Sequence, residues 1–437
     1  MVGLALAMFL AGGLGLWRVV RPSSGPSPPS TGAARSIDVA PIVGATSLQQ
    51  VIVGLQARLR ALPQDWASWA QLGQAYLQEA RVSADPTYYP KAEGALHRSL
   101  SLNRGSNFDA MTGMAALAAA RHDFTGALSW GERARAVNPD DPDVYAVIGD
   151  AEIELGRYPE AFETFQKGLD LKPNLSLYAR ASYAWELQGD VPNAIRAMNL
   201  ALRAAGSSAD SSWCLNQLGE LYWGSGDLNR AEGYYSQAMA EDPKFVPPRA
   251  GLAKVEAARG QYAKAIAGYR SVVAIYPLPA YVIALSDLYR VTGQRELAER
   301  EAGLVGVEEK LFQANGVNVD LEIALFDADH HVNLAEGLAA AQSEWGRRHS
   351  VHVADALAWA LYANGRPAEA LPYADQALHL GYRNALFFFH RAMIKKDLGR
   401  TGPARRDLAE ALRINPYFSS LWSRTAATSL RSLGGRP

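Results

Sequence analysis

A period of 34 residues runs through most of this chain and limits its fold more than any other feature. The copy that begins at Pro142 has Tyr145, Ile148, Gly149, Gly156, Ala161, Phe165 and Pro173 at its fourth, seventh, eighth, fifteenth, twentieth, twenty-fourth and thirty-second positions. The copy from Ser212 puts Leu215, Leu218, Gly219, Gly226, Ala231, Tyr235 and Pro243 at the same positions. From Val246, Leu252, Gly260, Ala265, Tyr269 and Pro277 recur, and the first copy, from Trp66, has Trp69, Leu72, Gly73 and Tyr76. Copies start at 66, 108, 142, 175, 212, 246, 279, 316, 351 and 385.

Each copy reads as two amphipathic helices, with apolar residues at i, i+3, i+4 and i+7. Small residues at the eighth and twentieth positions let the two helices cross closely. Glycine at the fifteenth accepts the left-handed conformation that ends the first helix. Proline near the thirty-second stops the second helix. One such pair cannot bury its apolar face alone, so neighbours must stack. The prediction is an all-α solenoid of about ten helix-turn-helix repeats. Ser47 to Leu62 reads as a capping helix before the array and Ser419 to Leu433 as one after it.

From Trp66 to Pro416 these residues resemble the tetratricopeptide repeat (TPR) family. The resemblance implies a right-handed α-solenoid that holds protein or peptide partners and is not an enzyme. Departures from the pattern are informative. The first copy has seven extra residues between its helices, so its small position falls at Ala92. Val82 to Pro90 (VSADPTYYP) is therefore an insertion whose Tyr88 and Tyr89 either fold back or bind. The copy from Gly316 matches least well. Asn315 to His331 (NGVNVDLEIALFDADHH) is similar to a stretch in a group of bacterial membrane-anchored TPR proteins.

In TPR proteins the first helix of each pair lines a concave groove through its second, fifth, ninth, twelfth and thirteenth positions. Carried onto the nine copies from 108 onward, these positions hold eleven acids: Asp109, Asp143, Asp150, Glu154, Glu186, Glu220, Asp287, Asp320, Asp327, Asp355 and Asp397. Only Lys254, Arg290 and Lys396 oppose them. Aromatic residues accompany the acids. The expected partner is a basic or cationic segment, steered by opposite potential and anchored on rings. The residues expected to touch it are Glu186, Trp213, Glu220, Trp223, Asp287, Asp327, Trp359 and Tyr362. Acids in a helix's first turn also favour its dipole, which accounts for Asp109 and Asp143 but not for those in mid-helix. The carboxylate-clamp type of TPR is not expected, since Asn216 and Lys254 lack the companion bases.

Val2 to Trp17 contains no charge, and Val19 and Val20 extend the apolar run beyond Arg18. At ~1.5 Å per residue this spans a bilayer, with Arg18 snorkelling. Residues 1–20 are therefore expected to be an uncleaved transmembrane or signal anchor, 21–46 a Pro/Ser/Gly-rich linker, and 47–437 the solenoid. Arg18 and Arg21 follow the span, which read literally puts the body in the cytoplasm. The Pro/Ser-rich spacer instead favours an extracytoplasmic body.

A second reading is a metal- or small-cation-binding solenoid with Asp327, His330 and His331 of FDADHH as ligands. The plainer reading of DADHH is the turn between the two helices of the weakest copy. The chain has neither a His-Glu-x-x-His pair, a P-loop nor a Gly-x-Ser-x-Gly elbow. Gly224-Ser225-Gly226 falls at an expected helix-helix turn, and the single cysteine, Cys214, on a first helix. No catalytic residue and no cofactor is expected. With 43 basic and 44 acidic residues the net charge is −1, which gives no basis for nucleic acid as a partner.

Overall fold

A computed structural model describes residues 47–436. The predicted anchor at 1–20 and linker at 21–46 lie outside the described residues. Among the described residues there are 22 helices and no strand. A capping helix α1 (Leu48–Ala61) comes first. Ten pairs follow: α2 (Trp66–Ser83) with α3 (Tyr88–Leu102), α4 (Phe108–Ala120) with α5 (Phe124–Val137), and α6 (Pro142–Glu154) with α7 (Tyr158–Leu171). Next are α8 (Leu175–Leu187) with α9 (Val191–Arg203), α10 (Ser208–Gly224) with α11 (Leu228–Glu241), and α12 (Pro247–Ala258) with α13 (Tyr262–Val273). Then come α14 (Pro279–Val291) with α15 (Arg295–Ala314), α16 (Asp320–His330) with α17 (Leu334–Arg347), α18 (Val351–Ala363) with α19 (Pro367–Ala377), and α20 (Ala385–Asp397) with α21 (Thr401–Ile414). A last helix, α22 (Ser423–Ser432), closes the array.

The sequence rules explain these bounds. Ser47 caps α1 through a reciprocal capping box with Gln50. Seven glycines at the fifteenth position end first helices with φ between +72° and +79°, Gly156 and Gly399 among them. The second pair puts His122 there instead, at φ +62°. The eighth-position glycines let the second helix of the pair approach: a Cβ on Gly219 would stand 2.5 Å from the Tyr235 ring. Most of the insertion in the first pair is absorbed by helix, since α2 runs on to Ser83 and α3 starts at Tyr88. Tyr89 is buried in the core, so the insertion folds back.

The array also returns onto itself. The inter-helix turn of each of the first five pairs meets the loop that follows the pair five places on. Tyr276 donates to the Arg81 carbonyl at 2.7 Å. The His122 ring bonds the Asn318 carbonyl. The Tyr158 hydroxyl accepts from the Val351 amide at 2.7 Å, and Arg348 reaches Glu154 at 2.6 Å. The turn at Gly189 meets the Gly381 backbone, and Asn415 donates to the Trp223 carbonyl at 2.8 Å. These partners stand 192 to 196 residues apart. One continuous seam thus joins successive turns of the solenoid, and much of the inner face is buried in the process.

Candidate functional site

The first helices α10, α12 and α14 carry one concave wall of a cavity of about 700 Å³. Pro416 to Ser429, the loop and helix that close the array, form the facing wall. Three residues predicted for partner contact, Glu220, Trp223 and Asp287, line this cavity together with Asn216 and Lys254. On α10, Asn216, Glu220 and Trp223 stand four and three residues apart, which is one helix face.

Each acid in the cavity already has a partner from the chain. Glu220 accepts from the Tyr235 hydroxyl at 2.7 Å and from Lys254 Nζ at 2.6 Å. Lys254 Nζ also lies 4.9 Å from the Trp223 ring centre, a cation–π contact. Asp287 bonds His330 Nε2 at 2.9 Å. The other nitrogen of that ring, Nδ1, bonds the Phe326 carbonyl at 2.8 Å. Both ring nitrogens face acceptors, an arrangement that favours the imidazolium form of His330. Burial pushes its pKa down, but the Asp287 hydrogen bond and charge more than reverse this, and the net shift is upward. Asp329 Oδ1 accepts from the indoles of Trp359 and Trp422, each at 2.8 Å. In contrast, Trp223 Nε1 and Asn216 Oδ1 are buried without a partner among the described residues. The two residues are 3% and 2% exposed. A buried donor and a buried acceptor are thus left without bonds in two residues that line the hollow, and an unmade buried bond costs ~1–3 kcal/mol.

The other predicted contact residues lie elsewhere. Trp213 is buried in the core between the fourth and fifth pairs. Trp359 is 2% exposed and stacks on Tyr362 and His390 at 4.9 and 4.1 Å. Glu186 is half-buried, and burial first of all pushes its carboxyl up to about 7. Asp327 is buried and faces α17, where Gly337 and Asn333 touch it. The acid excess counted along the groove is largely met from within. Arg180 pairs with Asp150, Arg348 with Glu154, and His390 with Asp355. Arg180 and His390 occupy the sixth position of their copies, which the groove count passed over.

The proposed metal ligands are not brought together. Asp327 points to α17, His330 points to α14, and His331 leaves the helix as an exposed left-handed residue with φ +55°. Adjacent positions on a helix differ by ~100°, and the turn begins between the two histidines. Among the described residues no group of three or more His, Cys, Asp or Glu is placed to hold a metal ion. The expected turn at DADHH falls later in the chain: Asp327 to His330 form the last turn of α16, and the helix-helix turn begins at His331. Cys214 is fully buried, and burial pushes its thiol up to about 12, which leaves no reactive thiolate.

Sequence reasoning missed the facing wall. Trp422 and Arg424 were visible only as part of a capping segment and Tyr417 only as part of the link before it, and only the tertiary path of the chain brings them opposite α10.

Tetratricopeptide repeat models match residues 114–176, 148–209, 222–288 and 351–386. These matches and the helix pairs support the tetratricopeptide repeat family for the chain. No curated protein matches it. Among solved structures it is similar to the APC/C hetero-tetramer Cut9–Hcn1, at 14% identity over 88% of this chain and 93% of that one, with a TM-score of 0.38. It is similar to the human IFIT1 dimer with m7Gppp-AAAA, at 14% identity over 76% and 77%, TM-score 0.48. A thermophilic TPR protein of Thermus thermophilus matches at 20% identity over 44% of this chain and 98% of that one, TM-score 0.39.

Proposed function

We propose that this chain is a membrane-tethered scaffold that captures a basic segment of a partner protein in the cavity between α10, α12, α14 and the C-terminal wall. The observation that carries this reading is the pair of buried, unpartnered polar atoms on Trp223 and Asn216, beside Glu220 and Asp287. An extended segment supplies both a donor and an acceptor there. The paired carboxylates set the preference for positive charge, since Lys254 already shows a cation seated between Glu220 and the Trp223 ring. The apolar run at 1–20 supports the tether, and the Pro/Ser/Gly spacer supports an array held away from the bilayer on the extracytoplasmic side. No helix among the described residues is long and apolar enough to cross a membrane.

The test is crosslinked capture from native membranes, comparing the wild-type chain with a Trp223→Phe, Asp287→Asn variant. Trp223→Phe removes the indole N–H and keeps the ring; Asp287→Asn removes the charge. Proteins captured by wild type and lost from a variant that is still folded at the pH and temperature of capture support the cavity. Their binding is expected to weaken as salt rises through ~0.15 M. The same proteins captured by both chains would place binding elsewhere. Carbonate extraction tests the tether separately: the full chain is expected in the membrane pellet, and a chain lacking 1–20 in the supernatant.

A further inference from the structure

The seam uses two edges of the array, and it uses each only half-way. Inter-helix turns of pairs one to five are engaged, and so are the loops after pairs six to ten. The turns of pairs six to ten and the loops after pairs one to five remain. They are the same two kinds of element, equal in number and at opposite ends of the axis. Close approach separates the two groups of turns. A Cβ on Gly156 would stand 2.7 Å from the His349 carbonyl oxygen, and one on Gly226 3.1 Å from that of Ile414. A Cβ on Gly260, Gly293, Gly365 or Gly399 would meet nothing within 4 Å. The loops divide in the same way. Asn415-Pro416 and Asn138-Pro139 are the same motif at the end of a second helix. Asn415 is 1% exposed inside the seam, whereas Asn138 is half-exposed and Pro139 and Asp140 are open to solvent.

We propose that copies of this chain stack end to end along the solenoid axis, the free turns of one copy seating on the free loops of the next. The occupant of this edge is a second copy because the chain already makes the interface with itself at five successive steps. The edges differ from each other, so the contact is heterologous and leaves an edge free at each end, which gives an open rod and not a closed dimer. The caps set the register. Among the described residues α22 is followed by no second helix and α1 is preceded by no first helix, so α22 of one copy followed by α1 of the next makes an eleventh pair. The seam spacing of five pairs then puts the turn of the tenth pair on the loop after the fourth pair of the next copy.

The test uses the full chain in mild detergent. Sedimentation is expected to show a mean mass rising reversibly with concentration. Two single-cysteine additions then read the geometry: Arg400→Cys on the tenth turn and Ala204→Cys after the fourth pair, both exposed positions. Cys214 is buried and stays unreactive. With a short bismaleimide, a covalent dimer is expected only when the two variants are mixed, and a ladder from the double variant. A monomer at all concentrations overturns the proposal. So do dimers formed equally by either variant alone, and so does an assembly that yields no crosslink between 400 and 204.

Discussion

At the scale of single residues, the His330–Asp287 pair is the clearest chemical consequence of the fold. Burial pushes the Asp287 carboxyl up, and its histidine partner draws it back without cancelling the rise. The His330 imidazolium is shifted the other way from burial alone, to a net increase, because it donates from both nitrogens. A group held more tightly protonated in the folded state stabilises that state fully below its unfolded pKa, ~6.5 for histidine. That stability is lost as pH rises through the raised folded value. Asp287→Asn removes the charge that holds the proton. The wild-type chain should therefore melt above Asp287→Asn at about pH 6, below histidine's unfolded value, and the gap should narrow by about pH 8. A gap that widens with pH would show that the ring is neutral in the folded state.

At the scale of the helix pair, the fifth repeat shows how much depends on one missing methyl. Tyr235 is fully buried and its hydroxyl is tied to Glu220, so the ring cannot swing away from Gly219. Gly219→Ala should destabilise the chain by about 1–3 kcal/mol through overpacking. Urea unfolding checks this, and an unchanged midpoint would mean that the pair has slack. This contact was legible in the sequence, because the eighth and twenty-fourth positions of a 34-residue repeat must face each other. The start of every first helix was legible to within about four residues for the same reason. The cavity was legible only in part. Glu220, Trp223 and Asp287 sit at inward positions, which periodicity assigns. Whether an inward position is open or filled depends on what lies across the axis, and no local period encodes that. Trp223 and Trp359 are both inward and both buried, at 3% and 2% exposed, yet only Trp223 lines the cavity, because rings from α20 and from Trp422 cover Trp359.

At the scale of the whole molecule, the seam changes how the array should unfold. In a plain solenoid each repeat touches only its neighbours, so damage stays local and unfolding spreads stepwise. Here contacts 192 to 194 residues apart tie the third pair to the eighth and the fifth to the tenth. Arg348 is the residue on which this coupling can be read. It is 1% exposed and lies between Glu154 and Glu344, themselves 2% and 1% exposed. Replacing it by alanine leaves the buried Glu154 without its cation, while Glu344 keeps Arg347, a loss on the order of 3–5 kcal/mol. The near partner Glu344 is in α17, but Glu154 is at the end of α6, in another turn of the solenoid. Arg348→Ala should therefore raise amide exchange in two distant stretches at once, around Glu154 to Tyr158 and around Glu344 to Val351. Exchange raised only near residue 348 would mean that the turns stay joined without the arginine, and that stability in this array is carried from neighbour to neighbour.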